Sequence, residues 1–384
     1  MESAIDFAKT CASELRMCDV DTLLVRIADV GRQPTNPMPL YQLGTLAREN
    51  GRVDLWYRAA AIALSLEHVT CEQVYARAIA KGLLGDPTAW TDFEARLFNP
   101  RWGFSRSKLN WTHSMWNGKK DLVSQTLLIR RQGGFGDAIL MFRFLERLKL
   151  QVGRIVLDVK PELVDLSLHN FASVAEVVSV DSDVSANIDY FVWAMSLPHI
   201  VGELPSFKPI TAPDPLPALA GQDRARLHIG LCWACKGATL YEHEQRSIPL
   251  AQMASLFDVN ELKWYSLQIG PGASDADEHP NLIKPLLCAG SFGSTANFLA
   301  SLDCVVTVDT AIFHLSASMG IPTFVLLPYA SDWKWGLGNH TPWYPSARLI
   351  RQTEPGNWWS AILQLAPLLA DRDLARHLQH LRES

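Results

Sequence analysis

Two short stretches hold the residues with chemistry to offer: Asp309-Thr310-Ala311-Ile312-Phe313-His314 and Gly133-Gly134-Phe135-Gly136-Asp137. The first follows Val305-Val306-Thr307-Val308, which favours strand, and precedes Leu315, Ser316 and Met319 at helical spacing, with Gly320 as a stop. Pro322 then excludes further helix, and Phe324 to Leu327 reads as a second buried strand. A helix that begins on Asp-Thr exposes unpaired backbone N–H groups and a partial positive charge, which suits a phosphate. His314 lies one turn in, where an imidazole can donate to a phosphate oxygen. Asp309 would repel that phosphate, so its contact with a ligand would be to sugar hydroxyls. In the plainer reading Asp309 or Thr310 caps the helix, worth about 1 kcal/mol, and His314 is a core residue. Taken alone, these residues favour the plainer reading.

The second stretch joins a strand over 126–130 to a helix over 138–150. Its glycines permit positive φ and a close approach of backbone to ligand. Gly134-x-Gly136 matches the dinucleotide-binding fingerprint in part, and Asp158 ends the next strand where a ribose-binding acid would sit, about 20 residues on. Bulky Ile139 stands in place of the third glycine, which weakens a nicotinamide reading. Asp137 is the informative residue. As a first-turn acid the helix dipole keeps it ionised, and an ionised carboxylate at the mouth of a cleft is what a general base requires.

These stretches need elements to hold them. The chain has 384 residues, 48% hydrophobic and 20% charged, with a formal net charge of −5. That composition describes an ordinary globular protein of two or three domains and gives no case for nucleic acid. No apolar run reaches membrane-spanning length, and Met1-Glu2-Ser3-Ala4-Ile5-Asp6 lacks the basic and apolar regions of a signal peptide. The seven cysteines are scattered, as in a reducing compartment, so a cytoplasmic location is expected. Cys232-Trp233-Ala234-Cys235 has redox spacing but ends a strand, and its cysteines read as small apolar residues.

Residues 1–112 read as an all-helical domain. Leu40, Leu43, Gly44 and Ala47 lead to Asn50-Gly51, then Trp56, Ala60, Ala63 and Leu64, a helical hairpin with small residues where helices touch. A second hairpin spans 74–84 and 87–97, joined at Gly85-Asp86. The spacing is like that of degenerate tetratricopeptide repeats, with about two units visible. From residue 113 strands and helices alternate. Strands over 126–130, 154–159, 174–180 and 190–195 make one parallel α/β run, to residue 212. Strands over 227–233, 263–268, 305–309 and 324–327 make a second, over 213–384. Five prolines between Pro205 and Pro217 mark a linker. Two Rossmann-like halves imply a ligand held between them at the carboxyl ends of the strands.

At this point the residues carry a resemblance. Gly134-Phe135-Gly136-Asp137, Gln245-Arg246-Ser247-Ile248-Pro249-Leu250, Ser266-Leu267-Gln268, Val308-Asp309-Thr310-Ala311 with His314, Asp332-Trp333-Lys334-Trp335 and Trp343-Tyr344-Pro345-Ser346 occur in order. Together with Leu83-Leu84-Gly85-Asp86, Trp90, Phe93-Glu94 and Arg96, over about residues 75 to 365, they resemble tetratricopeptide-linked glycosyltransferases related to glycosyltransferase family nine, the ADP-heptose:lipopolysaccharide heptosyltransferases. The resemblance implies a GT-B fold and an inverting transferase that uses a nucleotide-diphosphate sugar as co-substrate, with no metal and no cofactor. It implies Asp137 as general base, and Arg246 facing the diphosphate. Thr310, Ala311 and the following N–H groups would hold phosphate oxygens, supported by His314. Asp309 would bind donor hydroxyls and Gln268 would lie near the nucleotide. Gly134, Phe135, Gly136, Lys236 and Trp333 would line the cleft for donor or acceptor. The chain departs from the family at Gln132-Gly133, at Lys236 and at His243-Glu244, which bears on donor sugar and acceptor more than on fold. The terminal helix, over 357–369, is expected to pack back on the first α/β half.

Asp181-Ser182-Asp183 and Asp275-Ala276-Asp277 have the spacing of metal-dependent glycosyltransferases, but short acidic pairs in loops are usually solvated turns, and no metal is assigned. The acceptor would be a glycan, a lipid-linked glycan or a protein, which the helical region either recognises or leaves alone, serving only to pack. The alternatives are a nicotinamide-dependent oxidoreductase built on Gly134 and Gly136, and a catalytically silent scaffold with an apolar groove over 38–98.

Overall fold

The computed structural model describes residues 70–99, 113–179, 187–217, 226–236, 240–270, 272–287, 289–371 and 373–383. The chain divides into two units, Met1–Trp111 with Tyr329–Gly338, and Thr112–Pro328 with Asn339–Ser384. The hairpin expected over 40–64 and the acidic pair at 181–183 lie outside the described residues.

In the first unit, α1 (Cys71–Leu83) starts on Thr70, whose Oγ1 accepts from Gln73 N while the Gln73 side chain accepts from Thr70 N, a reciprocal cap. After a turn at Gly85 (φ +77°), α2 (Ala89–Phe93) runs into a 3-10 segment, Glu94–Phe98. Asp92 of α2 accepts from Arg77 and pairs with Lys81, both on α1. The tryptophan-rich stretch after the last expected strand belongs to this unit. A Cβ at Gly82 would lie 2.0 Å from the Trp333 ring, whose centroid is 4.6 Å from Trp90 and 5.2 Å from Phe93. Glycine at 82 is what lets that indole lie on α1, and no sequence-local pattern announces it.

The second unit holds two parallel sheets. In the first half, β1 (Ser114–Met115) and β2 (Leu122–Arg130) lead to α3 (Phe135–Met141), which continues through a 3-10 turn to a last helical turn at Leu145–Leu148. Then come β3 (Val152–Asp158), α4 (Val164–Phe171), β4 (Glu176–Val178), β5 (Tyr190–Trp193) and α5 (Leu197–Val201). The strand order is β1-β5-β2-β3-β4, every pair parallel. The second half runs β6 (Leu227–Cys232), α6 (Leu240–Arg246), β7 (Leu262–Ser266), β8 (Leu282–Ile283), α7 (Phe292–Leu299), β9 (Cys304–Val308), α8 (Ala311–Ser318), β10 (Thr323–Leu327), β11 (Ala347–Arg351), α9 (Trp358–Leu369) and α10 (Leu374–Glu383). Its order is β11-β10-β9-β6-β7-β8, again all parallel. The central strands are buried along their whole length, as parallel sheets covered on both faces require.

Several expectations need correction. The run Leu250 to Phe257, whose apolar spacing predicts a helix, is a 3-10 helix over Leu250–Asp258, and its buried Leu250, Met253 and Leu256 recur every third residue, the spacing that three residues per turn aligns. Arg246 ends α6, just ahead of that 3-10 helix. The terminal helix does not pack back on the first half: Trp358, Ala361, Ile362, Leu365 and Leu369 join the core of the second half with Phe324, Leu326 and Ile350. The linker is tied down, Ile210 N donating to Ser318 O and Leu216 N to Asn297 O. No helix among the described residues is long and apolar enough to cross a membrane.

Candidate active site

In each sheet the connections reverse direction between two neighbouring strands, β2 and β5 in the first and β6 and β9 in the second. Beyond the carboxyl ends of such strands lies the usual crevice of an open α/β sheet. The loops found there carry Gly134 to Asp137 after β2 and Asp309 to His314 after β9. The structure brings them together. A Cβ on Gly136 would lie 2.4 Å from Cδ2 and 2.9 Å from Nε2 of His314, so only glycine lets the start of α3 reach the imidazole on α8.

The two helix starts differ in how they are satisfied. At α3, Asp137 turns its Oδ2 back to accept from Gly134 N at 2.8 Å. Gly133 (φ +78°) makes room, since a Cβ there would stand 2.3 Å from Asp137 Oδ2. At α8, Thr310 holds the N-cap position without bonding into its own helix. Its hydroxyl lies 3.1 Å from Thr307 Oγ1 and 3.8 Å from Cys232 Sγ instead. The plain capping role weighed for Thr310 is thus excluded, and the residues that follow, Ala311-Ile312-Phe313, bring no acid.

Arg246 reaches the same place. Its Nη2 donates to the carbonyl of Asp309, which fixes a guanidinium at the carboxyl end of β9. Asp309 itself is buried. Gln268 follows β7 but spends its amide on the neighbouring loop: Oε1 accepts from Trp233 N and Ala234 N at 3.1 and 3.0 Å, and Nε2 donates to Ala234 O at 2.9 Å. It shapes the turn after β6. Lys236 is exposed at the edge of that loop. Phe135 packs at a tilt of 45° against Phe292, 4.9 Å between centroids, with the Lys160 ammonium 4.7 Å from its ring. Trp333 belongs to the other unit, where its ring lies on α1 at Gly82. Asp158, the candidate ribose-binding acid, is buried and paired with Arg130 at 3.1 Å and Arg131 at 3.8 Å. That engagement counts against the nicotinamide reading, which needs the carboxylate turned to a ligand. Asp277 of the second acidic pair forms an ion pair with Lys284. Among the described residues no group of three or more His, Cys, Asp or Glu is arranged to hold a metal ion.

Three further residues take their places here through the fold. Tyr344 is buried, with its hydroxyl 2.8 Å from His314 Nδ1. Burial pushes its phenol well above the usual range; Ser318 and Arg143 pull it down and the carboxylates of Asp137 and Asp309 push it up, so all four act on one buried ring. Arg143, after α3, donates to the carbonyls of Pro205 and Trp343 at 2.7 Å each, joining the first half, the linker and the loop before β11. Asp165 on α4 accepts from Ser291 Oγ and from Gly293 N at the start of α7. Tyr344 had one signal, its place in the Trp343-Tyr344-Pro345-Ser346 stretch. The other two had none.

No family model and no curated protein matches the chain. Solved structures do. A glycosyl transferase family 9 protein from Veillonella parvula DSM 2008 aligns at 13% identity over 70% of this chain and 100% of its own, with a TM-score of 0.45. The E. coli heptosyltransferase WaaC with ADP-2-deoxy-2-fluoro heptose aligns at 15% identity, 63% of this chain and 98% of its own, TM-score 0.42. E. coli ADP-heptose LPS heptosyltransferase II aligns at 13% identity, 67% and 98%, TM-score 0.43. At such identities residue roles do not carry over.

Proposed function

We propose that the chain is a glycosyltransferase that moves a sugar from a nucleotide-diphosphate donor to an acceptor hydroxyl, with inversion and without a metal. One observation carries the reading: the acid-bearing start of α3 meets the start of α8, which Thr310 leaves without a side-chain cap, through the contact of Gly136 with His314. As the bond from the anomeric carbon to the diphosphate oxygen breaks, negative charge builds on the leaving group and positive charge on the sugar. The N–H groups after Thr310, Nε2 of His314 and the guanidinium of Arg246 receive the former, and such fixed dipoles act strongly where water is excluded. Asp309 takes donor hydroxyls. Asp137 accepts the proton of the acceptor hydroxyl as that oxygen attacks from the opposite face, which inverts the anomeric centre. The acceptor is a glycan, a lipid-linked glycan or a protein, and the helical unit is its candidate reader. The reading goes with a cytoplasmic protein.

The test is a thermal-shift panel of nucleoside diphosphates and their sugars, ADP-heptose among them, followed by transfer assays with and without chelator. A donor that raises Tm, chelator-resistant transfer, and loss of transfer with retained donor binding in Asp137→Ala are expected. Turnover that survives Asp137→Ala would exclude that residue as base.

A further inference from the structure

We propose that Tyr344 is a positioning residue for His314: its hydroxyl donates to Nδ1 and holds the imidazole as the Nε2–H tautomer, with that N–H turned to the start of α3. What the N–H then does rests on the transferase reading; the tautomer itself does not.

A neutral imidazole has one N–H and one lone pair, and the partner at one nitrogen decides what the other offers. His314 and Ser318 are four residues apart on α8, on one face of the helix, and the Tyr344 hydroxyl bonds to both. The Tyr344 and His314 rings meet edge to face, 5.8 Å between centroids at 81°. A phenol buried this deeply keeps its proton, so it always has one to give. With Ser318 donating to Tyr344, the phenolic proton is directed to Nδ1. The chain of bonds then runs from hydroxyl to hydroxyl to imidazole. The ring edge carrying Nε2 faces Gly136, since a Cβ there would lie 2.9 Å from that nitrogen. The opposite polarity would leave a bare lone pair beside an incoming diphosphate, where it repels. In the proposed polarity the same nitrogen donates to the leaving oxygen at the moment charge develops. Arg143 adds to the device, since its guanidinium acts on the Tyr344 phenol and bonds the carbonyl of Trp343, holding the residue before Tyr344 in place.

The direct test uses the full chain labelled with ¹⁵N-histidine, read by long-range ¹H–¹⁵N correlation at a pH of about 8, where imidazoles are neutral. His314→Asn assigns the resonances. The expected pattern is Nε2–H with an unprotonated Nδ1, lost or averaged in Tyr344→Phe. An Nδ1–H pattern in the wild type overturns the proposal without any activity measurement. Ser318→Ala removes the donor that directs the phenolic proton and should weaken the pattern, though less than Tyr344→Phe. In the kinetic arm, Tyr344→Phe should lower kcat about tenfold, one transition-state hydrogen bond, with donor KM changed less than about threefold. Tyr344→Phe combined with His314→Asn should be no slower than His314→Asn alone, because a residue that acts only through His314 has nothing left to act through. Additive losses would show that Tyr344 acts elsewhere and would overturn the proposal. An Nε2–H spectrum in a chain that transfers no sugar would sustain the tautomer and count against the transferase reading alone.

Discussion

The starts of α3 and α8 occupy equivalent places, each following a central strand of a parallel sheet at the point where the connections reverse. One is closed by its own first-turn carboxylate; at the other the N-cap side chain makes no bond to the helix. Asp137 satisfies the start of α3 from within, so that helix has used its preference for an anion on its own carboxylate. The start of α8 carries a threonine whose hydroxyl faces away from the helix, followed by three apolar residues, with an arginine fixed beside it. Three other helix starts are closed locally, at Thr70, Ser291 and Asn357, while those at Thr88, Leu163 and Ser196 also lack a side-chain cap, so the start of α8 is set apart by the arginine beside it and by its place at the reversal of the sheet. Under the proposed reading, two turns of like topology divide the labour that sugar transfer needs, a base on one wall and an anion site on the other.

The largest effect should come from the filled start. Asp137→Asn keeps a group that can accept from Gly134 N but removes the basicity, so transfer should fall about 10²–10⁴-fold. Donor affinity, measured by calorimetry, should change little. Equal losses in donor binding and turnover would mean that Asp137 serves the donor, and the division of labour would fail.

Gly136→Ala attacks the meeting of the two starts. The added methyl would stand 2.4 Å from the His314 ring with no flexible group to yield, and overpacking of this kind costs about 1–3 kcal/mol. A misplacement of about 1 Å at a reacting centre costs about 10²-fold in rate. Turnover should therefore fall further than the drop in Tm accounts for. A loss of stability with unchanged turnover in the folded fraction would separate the contact from the chemistry.

The frame of this arrangement was readable in the sequence and its joints were not. Alternating apolar runs and helix stops mark β2, β3, β6, β9 and β10, because parallel strands buried on both faces must be apolar throughout. The Gly-x-Gly-Asp and Asp-Thr stretches stand out because both follow such strands. The edge strands β1 and β8 are two residues each and leave no period to detect. Five-residue β11 was missed as well, since its Arg348 and Arg351 break the apolar run. Trp333 packs against Gly82, far away in sequence, and only the fold reveals that pairing. Tyr344 reaches His314 from thirty residues downstream, and Asp165 reaches Gly293 from the other half, so neither contact has a local signature.

Thr310→Asp would make the second start resemble the first. Aspartate at an N-cap is favourable by about 0.5–2 kcal/mol, offset by the lost contacts to Thr307 and Cys232, so Tm should hold or rise. Binding of a nucleoside diphosphate should weaken about tenfold, since a carboxylate would occupy the place of a phosphate. Unchanged affinity would move the anion site away from α8.

The smallest effect tests a third start. That of α7 is capped by its own Ser291 and also touched by Asp165 from the opposite half, whose side chain lies at an exposed surface. An exposed carboxylate at a helix start is worth about 0.3–1 kcal/mol, less in salt. Asp165→Asn should therefore cost no more than about 1 kcal/mol in a denaturant melt and change turnover by less than about threefold. The value of the variant lies in its sign on donor affinity. If α8 receives the diphosphate, freeing α7 of its carboxylate changes nothing there. Tighter donor binding in Asp165→Asn would mean that Asp165 and the donor compete for the start of α7. The contrast drawn between α3 and α8 would then have to be redrawn between α3 and α7.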